Sequence, residues 1–204
     1  WVSNDFGSTW TDQANKFDAL LPAGINFKSA ESPALSGNGK YIYVGLSDDT
    51  NPATTNGYLA RSIDFGVTWE LVSNNMLGSR FNLLDTSCSG TGQYVTALGP
   101  VGNFSAIRNQ YSDDFGQTWK LSSQVNISPD NHLKQSYDGQ YVAGGGNVGS
   151  FYISSDYGAT FTPVNGISAN YGVSMSNTGQ FIFLERITNP VGGYLSSDFG
   201  ASWT

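Results

Sequence analysis

Short apolar runs separated by polar, glycine-containing turns recur along the chain. The clearest run, Tyr41 to Val44, follows the turn LSGNGK, and related runs begin at Tyr94, Tyr141 and Phe181. Residues in such runs alternate between the two faces of a strand, which is the period-2 pattern of β-structure. The pattern therefore predicts an all-β protein.

Two motifs repeat in alternation. S-x-D-[FY]-G-x-[ST]-[WF] occurs in five copies, and S-x-x-G-[KQ]-[YF]-[IV] occurs in four, one before each of the last four copies of the first motif. Asp114, Asp156 and Asp198 of the first motif are spaced 42 residues apart, whereas insertions lengthen the earlier spacings. A repeat of about 40 to 50 residues with strand periodicity indicates β-propeller blades, each with four antiparallel strands A to D.

The predicted organisation is a single domain, residues 1–204, of about five blades. A C–D strand pair at 1–12 comes first, and four A–B–C–D repeats end near 73, 122, 164 and 204. In the last repeat, strands A, B and C are predicted at 171–176, 180–185 and 193–197, and D begins at 202. The S-x-x-G turn then joins A to B, and the S-x-D motif joins C to D.

The S-x-D motif has a structural logic that requires no ligand. An aspartate at a strand end accepts hydrogen bonds from N–H groups of its own turn, and the glycine two residues later allows a positive φ. The large ring that follows buries roughly 150–250 Å² and anchors the outgoing strand. The residues given this fastening role are Asp5, Gly7, Trp10, Asp64, Gly66, Trp69, Asp114, Gly116, Trp119, Asp156, Gly158, Phe161, Asp198, Gly200 and Trp203.

This motif resembles the Asp-box, or BNR repeat, of sialidase-type β-propellers, and the resemblance extends from Ser3 to Trp203. It implies a propeller whose boxes lie away from the catalytic centre, in agreement with a fastening role. The same repeat occurs in sortilin-like receptors, xyloglucanases, photosystem assembly factors and surface proteins of microbes and large viruses. The resemblance therefore implies a fold and no single function.

Composition restricts the setting and the partners. Charged residues form only 12% of the chain, about half of the usual share, which is typical of a secreted or particle-surface protein. The net charge of −7, with nine Lys and Arg, leaves no basic stripe for nucleic acid. No apolar run approaches the roughly 20 residues that span a bilayer. We expect an extracellular, cell-surface or virion-surface location.

Cys88, Asn103 and Asn126 are further residues of interest, and they do not change the expected location. Cys88 is the only cysteine, and its place beside a turn favours a small buried filler over a nucleophile. Asn103 and Asn126 begin N-x-S sequons, which are candidate glycosylation sites in a secreted protein. The absence of a starting Met favours a processed precursor or an excerpt of a longer chain.

Antiparallel topology locates a functional face. If the A–B and C–D turns lie at one end of each blade, the irregular B–C and D–A loops lie at the other, and such loops commonly carry binding residues. The candidate ligand-binding residues there are Asp48, Asp49, Arg80, Asp130, His132, Glu185 and Arg186, with Glu31 beside them.

Each candidate also has a structural interpretation. Asp48-Asp49 lacks a third ligand at calcium-loop spacing, and a single histidine, His132, does not form a zinc site. Charges at strand ends are common on any surface. No metal site and no cofactor are predicted.

A catalytic hypothesis requires residues that the motifs do not supply. A sialidase-like site would need three arginines around a carboxylate, a tyrosine nucleophile with a glutamate partner and an acid-base aspartate. The chain has four arginines, of which Arg61 and Arg108 fall on or near strand C, and no F-R-I-P motif. A glycosidase with paired carboxylates would need two acids across a cleft, and nothing singles out a pair.

The sequence therefore favours a non-catalytic recognition or scaffold module whose partner is a glycan or a protein. Two alternatives stay open: a glycoside hydrolase with an incomplete active site, and a structural subunit of a surface assembly or filament. Five C–D pairs face only four A–B turns, and unpaired blade edges invite further strands. We expect either a longer chain that completes the ring or self-association through the open edge.

Overall fold

The computed structural model describes residues 1–48, 57–72, 85–101, 106–125, 132–146, 150–167, 172–186 and 192–204. Its strands form four antiparallel sheets, in which neighbouring strands follow one another along the chain; three sheets have four strands and the last has three. The strands are β1 (Phe27–Leu35), β2 (Ile42–Asp48), β3 (Gly57–Ser62) and β4 (Glu70–Leu71) in the first sheet; β5 (Asp85–Cys88), β6 (Val95–Val101), β7 (Ala106–Ser112) and β8 (Lys120–Val125) in the second; β9 (Leu133–Gln135), β10 (Val142–Gly146), β11 (Ser150–Ser154) and β12 (Thr162–Val164) in the third; and β13 (Val173–Met175), β14 (Ile182–Arg186) and β15 (Gly192–Ser196) in the fourth.

Each sheet has the predicted plan of a propeller blade. The S-x-x-G turn connects its first two strands, and the Asp-box follows its third strand. Thr204 continues the last sheet through two backbone hydrogen bonds with Leu195 of β15, of 2.9 and 3.0 Å. An antiparallel bridge between Val2 and Thr11 spans the first Asp-box. The described residues therefore form four sheets and one further strand pair, consistent with four to five blades, and the all-β propeller prediction is confirmed.

The connection before the first sheet differs from the predicted irregular loop because it contains a helix, α1 (Ala14–Leu20). Phe17 of α1 is buried against Phe27 and Trp69, with ring centroids 5.3 and 5.0 Å away. Phe17, Leu20 and Leu21 follow helical spacing, which is the sequence signal for this element. Strands also extend into predicted loops: Glu31 lies inside β1, and β6 and β7 occupy most of the segment 99–110.

Three apolar clusters of the described residues form layers between successive blades, and a fourth packs α1 against the first sheet. Tyr43 of β2, Val95 of β6 and Trp119 share one layer between the first and second sheets. Corresponding clusters join the second sheet to the third around Leu98 and Leu133, and the third to the fourth. Burial of one such large side chain contributes roughly 1.5–3 kcal/mol, so these layers hold the blades side by side.

The S-x-x-G turns bind one another across the blades. The N–H of Gly37 donates to the carbonyl of Gly90 (2.8 Å), the N–H of Gly90 to Tyr137 (2.7 Å), and the N–H of Tyr137 to Asn177 (2.7 Å). These four residues occupy the same motif position. Successive blades are thus joined in order at the end that carries the turns, called the turn end here; the opposite end is called the loop end. Among the described residues, no helix has the length and apolarity to cross a membrane.

Candidate functional site

The five Asp-boxes share one network of hydrogen bonds. In the third box, the Ser112 hydroxyl donates to Asp114 Oδ1 (2.8 Å) and accepts from the N–H of Gly116 (2.8 Å). The N–H of Thr118 donates to Asp114 Oδ1 (2.8 Å), and its hydroxyl donates to Oδ2 (2.6 Å). The same bonds recur in the other boxes within about 0.1 Å. Both carboxylate oxygens of every box are therefore engaged by their own turn.

These bonds lower the pKa of the box carboxyls. The hydroxyl and N–H of Thr68 hold the pKa of Asp64 below its usual value, and Thr9 and Ser202 act in the same way on the pKa of Asp5 and Asp198. Burial opposes the shift at Asp114 and Asp156, but the bonds within the turn outweigh it, so their pKa is also lowered. Groups held ionised in this way suit fastening and do not suit proton donation near neutral pH.

The ring after each box is not equally buried. Trp119 and Phe161 are buried, as expected of strand anchors, and the indole N–H of Trp119 donates to the carbonyl of Gly116 (3.2 Å). Trp10 of the first box is 58% exposed. Among the described residues, no sheet strand pairs with the Val2–Thr11 bridge beside this box.

Arg61 is also committed to the frame. Its side chain is buried, and Nη2 and Nε donate to Glu70 Oε1 at 2.6 and 3.1 Å. Nη1 donates to the carbonyl of Phe115 in the next blade. Arg61 therefore links two blades and is not available to bind a ligand at the loop end.

At the loop end, the structure brings together Asp85 and His132, which lie where β5 and β9 begin. Asp85 Oδ2 accepts from the N–H of Leu133 (2.5 Å), Oδ1 accepts from the N–H of Thr86 (2.8 Å), and His132 Nδ1 lies 3.9 Å from Oδ2. Burial raises the pKa of Asp85, although the bond from Leu133 opposes it. The His132 side chain is 59% exposed. The sequence predicts His132 as a candidate, whereas Asp85 belongs to no repeated motif and is identified only by its contacts in the structure.

The remaining candidates are not shown to converge. Glu185 is exposed in β14, and a Cβ built on Gly172 would lie 2.8 Å from its Oε2, so its carboxylate lies over the start of the adjacent strand. Asp48 and Arg186 are the last residues of β2 and β14, and their side chains lie outside the described part. The predicted candidates that lie entirely outside the described residues are Asp49, Arg80, Asp130, Asn103 and Asn126.

Cys88 packs beside Tyr43 and Val95 in the layer between the first two sheets. Burial raises the pKa of its thiol to about 12, so the nucleophilic thiolate is scarce near neutral pH. Among the described residues, no three His, Cys, Asp or Glu side chains are grouped as a metal site would require.

The turn end carries a depression that sequence analysis did not anticipate. It has a volume of about 580 Å³ and is lined by Tyr137, Asp138, Gln140, Tyr141, Asn177, Thr178 and Phe199. Tyr137 is 53% exposed, and its ring lies over Gly37 and Gly90, where added Cβ atoms would come within 2.6 and 2.2 Å of it. The available sequence signal was the tyrosine at a turn position where the first two blades have glycine.

Comparison with known proteins agrees with this architecture. Residues 110–121 match the family model for the BNR/Asp-box repeat, and comparison with curated protein sequences gives no match. The fold is similar to that of a GH74 enzyme from Niastella koreensis, with 19% identity over 87% of this chain and 24% of that chain and a TM-score of 0.62. A Trypanosoma rangeli sialidase mutant displaying trans-sialidase activity gives 12% identity over 96% of this chain and 41% of that chain, with a TM-score of 0.56.

A structure of YCF48 bound to D1 peptide is also similar, at 14% identity over 85% of this chain and 56% of that chain, with a TM-score of 0.52. The chain therefore spans from about a quarter to just over half of the length of these proteins. The chain contains a BNR/Asp-box repeat and shares its β-propeller fold with sialidases and GH74 enzymes.

Proposed function

We propose that the chain is a non-catalytic recognition module, on the outside of a cell or on a particle surface, that binds a neutral glycan or a protein through its loop end. One observation carries the proposal: the repeated charged groups are committed to the frame. Every box carboxylate is bound by its own turn, and Arg61 is bound by Glu70 and the next blade. Because these charged groups at the turn end are already engaged, we expect ligand contacts to come from the loops at the loop end, which a rigid frame holds in place.

The charge of the chain favours a neutral ligand. Recognition of an acidic sugar uses clustered arginines, which pair with carboxylate through forked hydrogen bonds. Of the four arginines in the chain, Arg61 is already taken by the frame. A net charge of −7 further disfavours anionic ligands through long-range repulsion.

A glycan array probed with residues 1–204 tests the proposal, followed by titration of any hit. We expect His132→Ala, at the loop end, to weaken binding and Tyr137→Ala, at the turn end, to leave it unchanged. Both residues are more than half exposed. Because the Tyr137 ring also covers Gly37 and Gly90, binding by each variant is measured at a temperature where that variant stays folded. If Tyr137→Ala abolishes binding and His132→Ala does not, the binding face is at the turn end and the proposed face is wrong.

A glycoside hydrolase remains the second candidate, and Asp85 favours it. A carboxyl whose pKa is raised by burial, next to an exposed imidazole at the loop end, is the kind of group that acts as a general acid. Hydrolysis of a fluorogenic β-glucoside or of xyloglucan that disappears in Asp85→Asn and persists in His132→Ala would support this candidate over a binding module.

A further inference from the structure

Three contacts between successive blades, called joints here, share one arrangement of aromatic rings. In each joint, the aromatic residue that ends an S-x-x-G turn stacks on the box aromatic of the next blade. The stacked pairs are Tyr41 with Phe115, Tyr94 with Tyr157 and Tyr141 with Phe199, with ring centroids 4.8, 4.2 and 4.7 Å apart. The same ring covers the turn glycine of that next blade, because a Cβ on Gly92, Gly139 or Gly179 would lie 2.6 to 2.7 Å from it.

The first blade presents the same surface without a cover. An added Cβ on Gly39, which corresponds to Gly92, meets no atom within 4 Å. Phe65, which corresponds to Phe115, is 46% exposed. A cavity of about 630 Å³ lies here, and its walls include Leu35, Gly39 and Phe65 of the first blade. The opposite wall is the strand pair at 2–11, through Val2, Asn4 and Phe6.

Within the described residues, that strand pair also has no neighbouring strand hydrogen-bonded to it. In the four later boxes, the N–H of the aromatic residue donates to the carbonyl of the Lys or Gln in the S-x-x-G turn of its own blade, as Phe65 does to Lys40 at 3.1 Å. Among the described residues, the corresponding N–H of Phe6 has no such acceptor, and its ring is fully exposed. The missing neighbour therefore has a defined shape: a first and second strand joined by an S-x-x-G turn.

We propose that this cavity is a docking site for a two-stranded β-hairpin with the turn S-x-x-G-[KQ]-[YF], supplied from outside residues 1–204. Its aromatic side chain inserts over Gly39 and stacks on Phe65, as Tyr41 does over Gly92 and on Phe115. The carbonyl of its Lys or Gln accepts from the N–H of Phe6. The hairpin adds to the strand pair at 2–11 by main-chain pairing, and the inference does not depend on what the loop end binds.

A second copy of the chain fits this site poorly. Each A–B hairpin of the described chain is already paired with the third strand of its own blade, as β2 is with β3 and β10 with β11. A second copy could offer a hairpin only by breaking one of these pairings. A whole blade would need the space that the strand pair at 2–11 already occupies.

The test uses a cyclised peptide with the sequence of residues 132–146, which contains Tyr141 of an intact joint. It is titrated into the ¹⁵N-labelled protein while NMR shifts are followed. We expect saturable shifts centred on Phe6, Gly39 and Phe65. Phe65→Asn in the protein and Tyr141→Ala in the peptide should each raise the dissociation constant by about tenfold or more. Asparagine is used at position 65 because it tolerates the local positive φ. Ile63 lies in the same turn and is also 46% exposed, but it does not line the cavity. Ile63→Ser should therefore leave the dissociation constant unchanged.

Three outcomes would overturn the proposal. The first is the absence of saturable shifts with the intact peptide. The second is equal binding of the intact and Tyr141→Ala peptides, since that comparison does not depend on the folding of any protein variant. The third is an oligomer, detected by light scattering, in which Phe6 and Phe65 are protected from solvent. A second copy of the chain would then be the occupant.

Discussion

At the scale of single residues, each Asp-box holds a backbone conformation that its aromatic residue disfavours. Phe115 has a φ of 61° and Gly116 a φ of 78°. Glycine adopts positive φ without strain, but a non-glycine residue there costs about 1–3 kcal/mol. The bonds from Thr118 to Asp114 and from Phe115 to the carbonyl of Gln93 offset this cost. This conformation places the aromatic ring against the neighbouring blade, where Phe115 stacks on Tyr41.

Removing the box carboxylate should therefore destabilise the protein without affecting a distant ligand site. We expect Asp114→Ala to lower the free energy of unfolding by roughly 1–3 kcal/mol, because the N–H and hydroxyl of Thr118 and the Ser112 hydroxyl lose an acceptor. Chemical denaturation measures the change. The matched control is Asp113→Ala, which removes an exposed ion pair with Lys120 and should cost about 1 kcal/mol or less. A variant Asp114→Ala that unfolds like the parent but loses ligand binding would contradict the fastening role.

The lowered pKa values of the box carboxyls predict the direction of the pH dependence. A carboxyl whose pKa is lower in the folded state binds fewer protons there than in the unfolded chain, so acid favours unfolding. Stability from the boxes should be fully present above the unfolded value of about 4 and fall as the pH drops below it. Unfolding curves across acidic pH measure this slope, and Asp64→Asn should reduce it. Stability that rises on acidification would contradict the shifts.

At the scale of elements, the joint between blades is the repeating unit of tertiary structure. It combines a hydrogen bond between S-x-x-G turns with an aromatic stack, and each partner comes from a different blade. The last turn carries Phe181 in the position of Tyr94, and this ring is 49% exposed. The chain therefore contains the same aromatic position both inside a joint and outside one.

This difference gives a matched pair of substitutions. Tyr94→Ala removes a ring that stacks on Tyr157 and covers Gly139, and we expect it to lower the free energy of unfolding by about 2 kcal/mol or more. Phe181→Ala removes the equivalent exposed ring and should change stability by about 0.5 kcal/mol or less. Thermal and chemical denaturation measure both. Equal losses from the two variants would mean that the joint adds no stability beyond its own turn.

The elements were predictable from sequence where their determinants are local. The contacts of Asp114 with Ser112 and Thr118 span only a few residues, so the motif alone predicts the turn and the strands around it. The stack of Tyr41 on Phe115 joins residues far apart in the chain, and no spacing reveals it. Asp85 and Tyr137 were missed for a related reason: their roles depend on neighbours from adjacent blades. The helix at Ala14–Leu20 was missed because one insertion between repeats was read as a loop.

At the scale of the whole molecule, the turns form an ordered series with two distinct ends. The series runs from Gly37 through Gly90 and Tyr137 to Asn177 by backbone hydrogen bonds. Among the described residues, no acceptor is found for the N–H of Asn177, the next donor in the series. Uncovered joints at both ends of a repeat array raise the energy of the isolated array, because stability in such proteins comes from contacts between neighbouring units.

The side chains already engaged in the fold limit the catalytic chemistry that we expect from the protein. Sharing a fold with sialidases does not supply a sialidase site, since catalysis depends on particular side chains held at one centre. Arg61 is fixed between Glu70 and Phe115, and Arg108 lies within β7. Two of the four arginines are therefore left for a carboxylate clamp that needs three. We therefore expect no measurable hydrolysis of a fluorogenic sialoside by residues 1–204, compared with an active sialidase under the same conditions. Turnover that survives repurification and disappears in Arg186→Ala, while Asp114→Ala retains it at a temperature where that variant stays folded, would establish a catalytic centre at the loop end and reject the binding module.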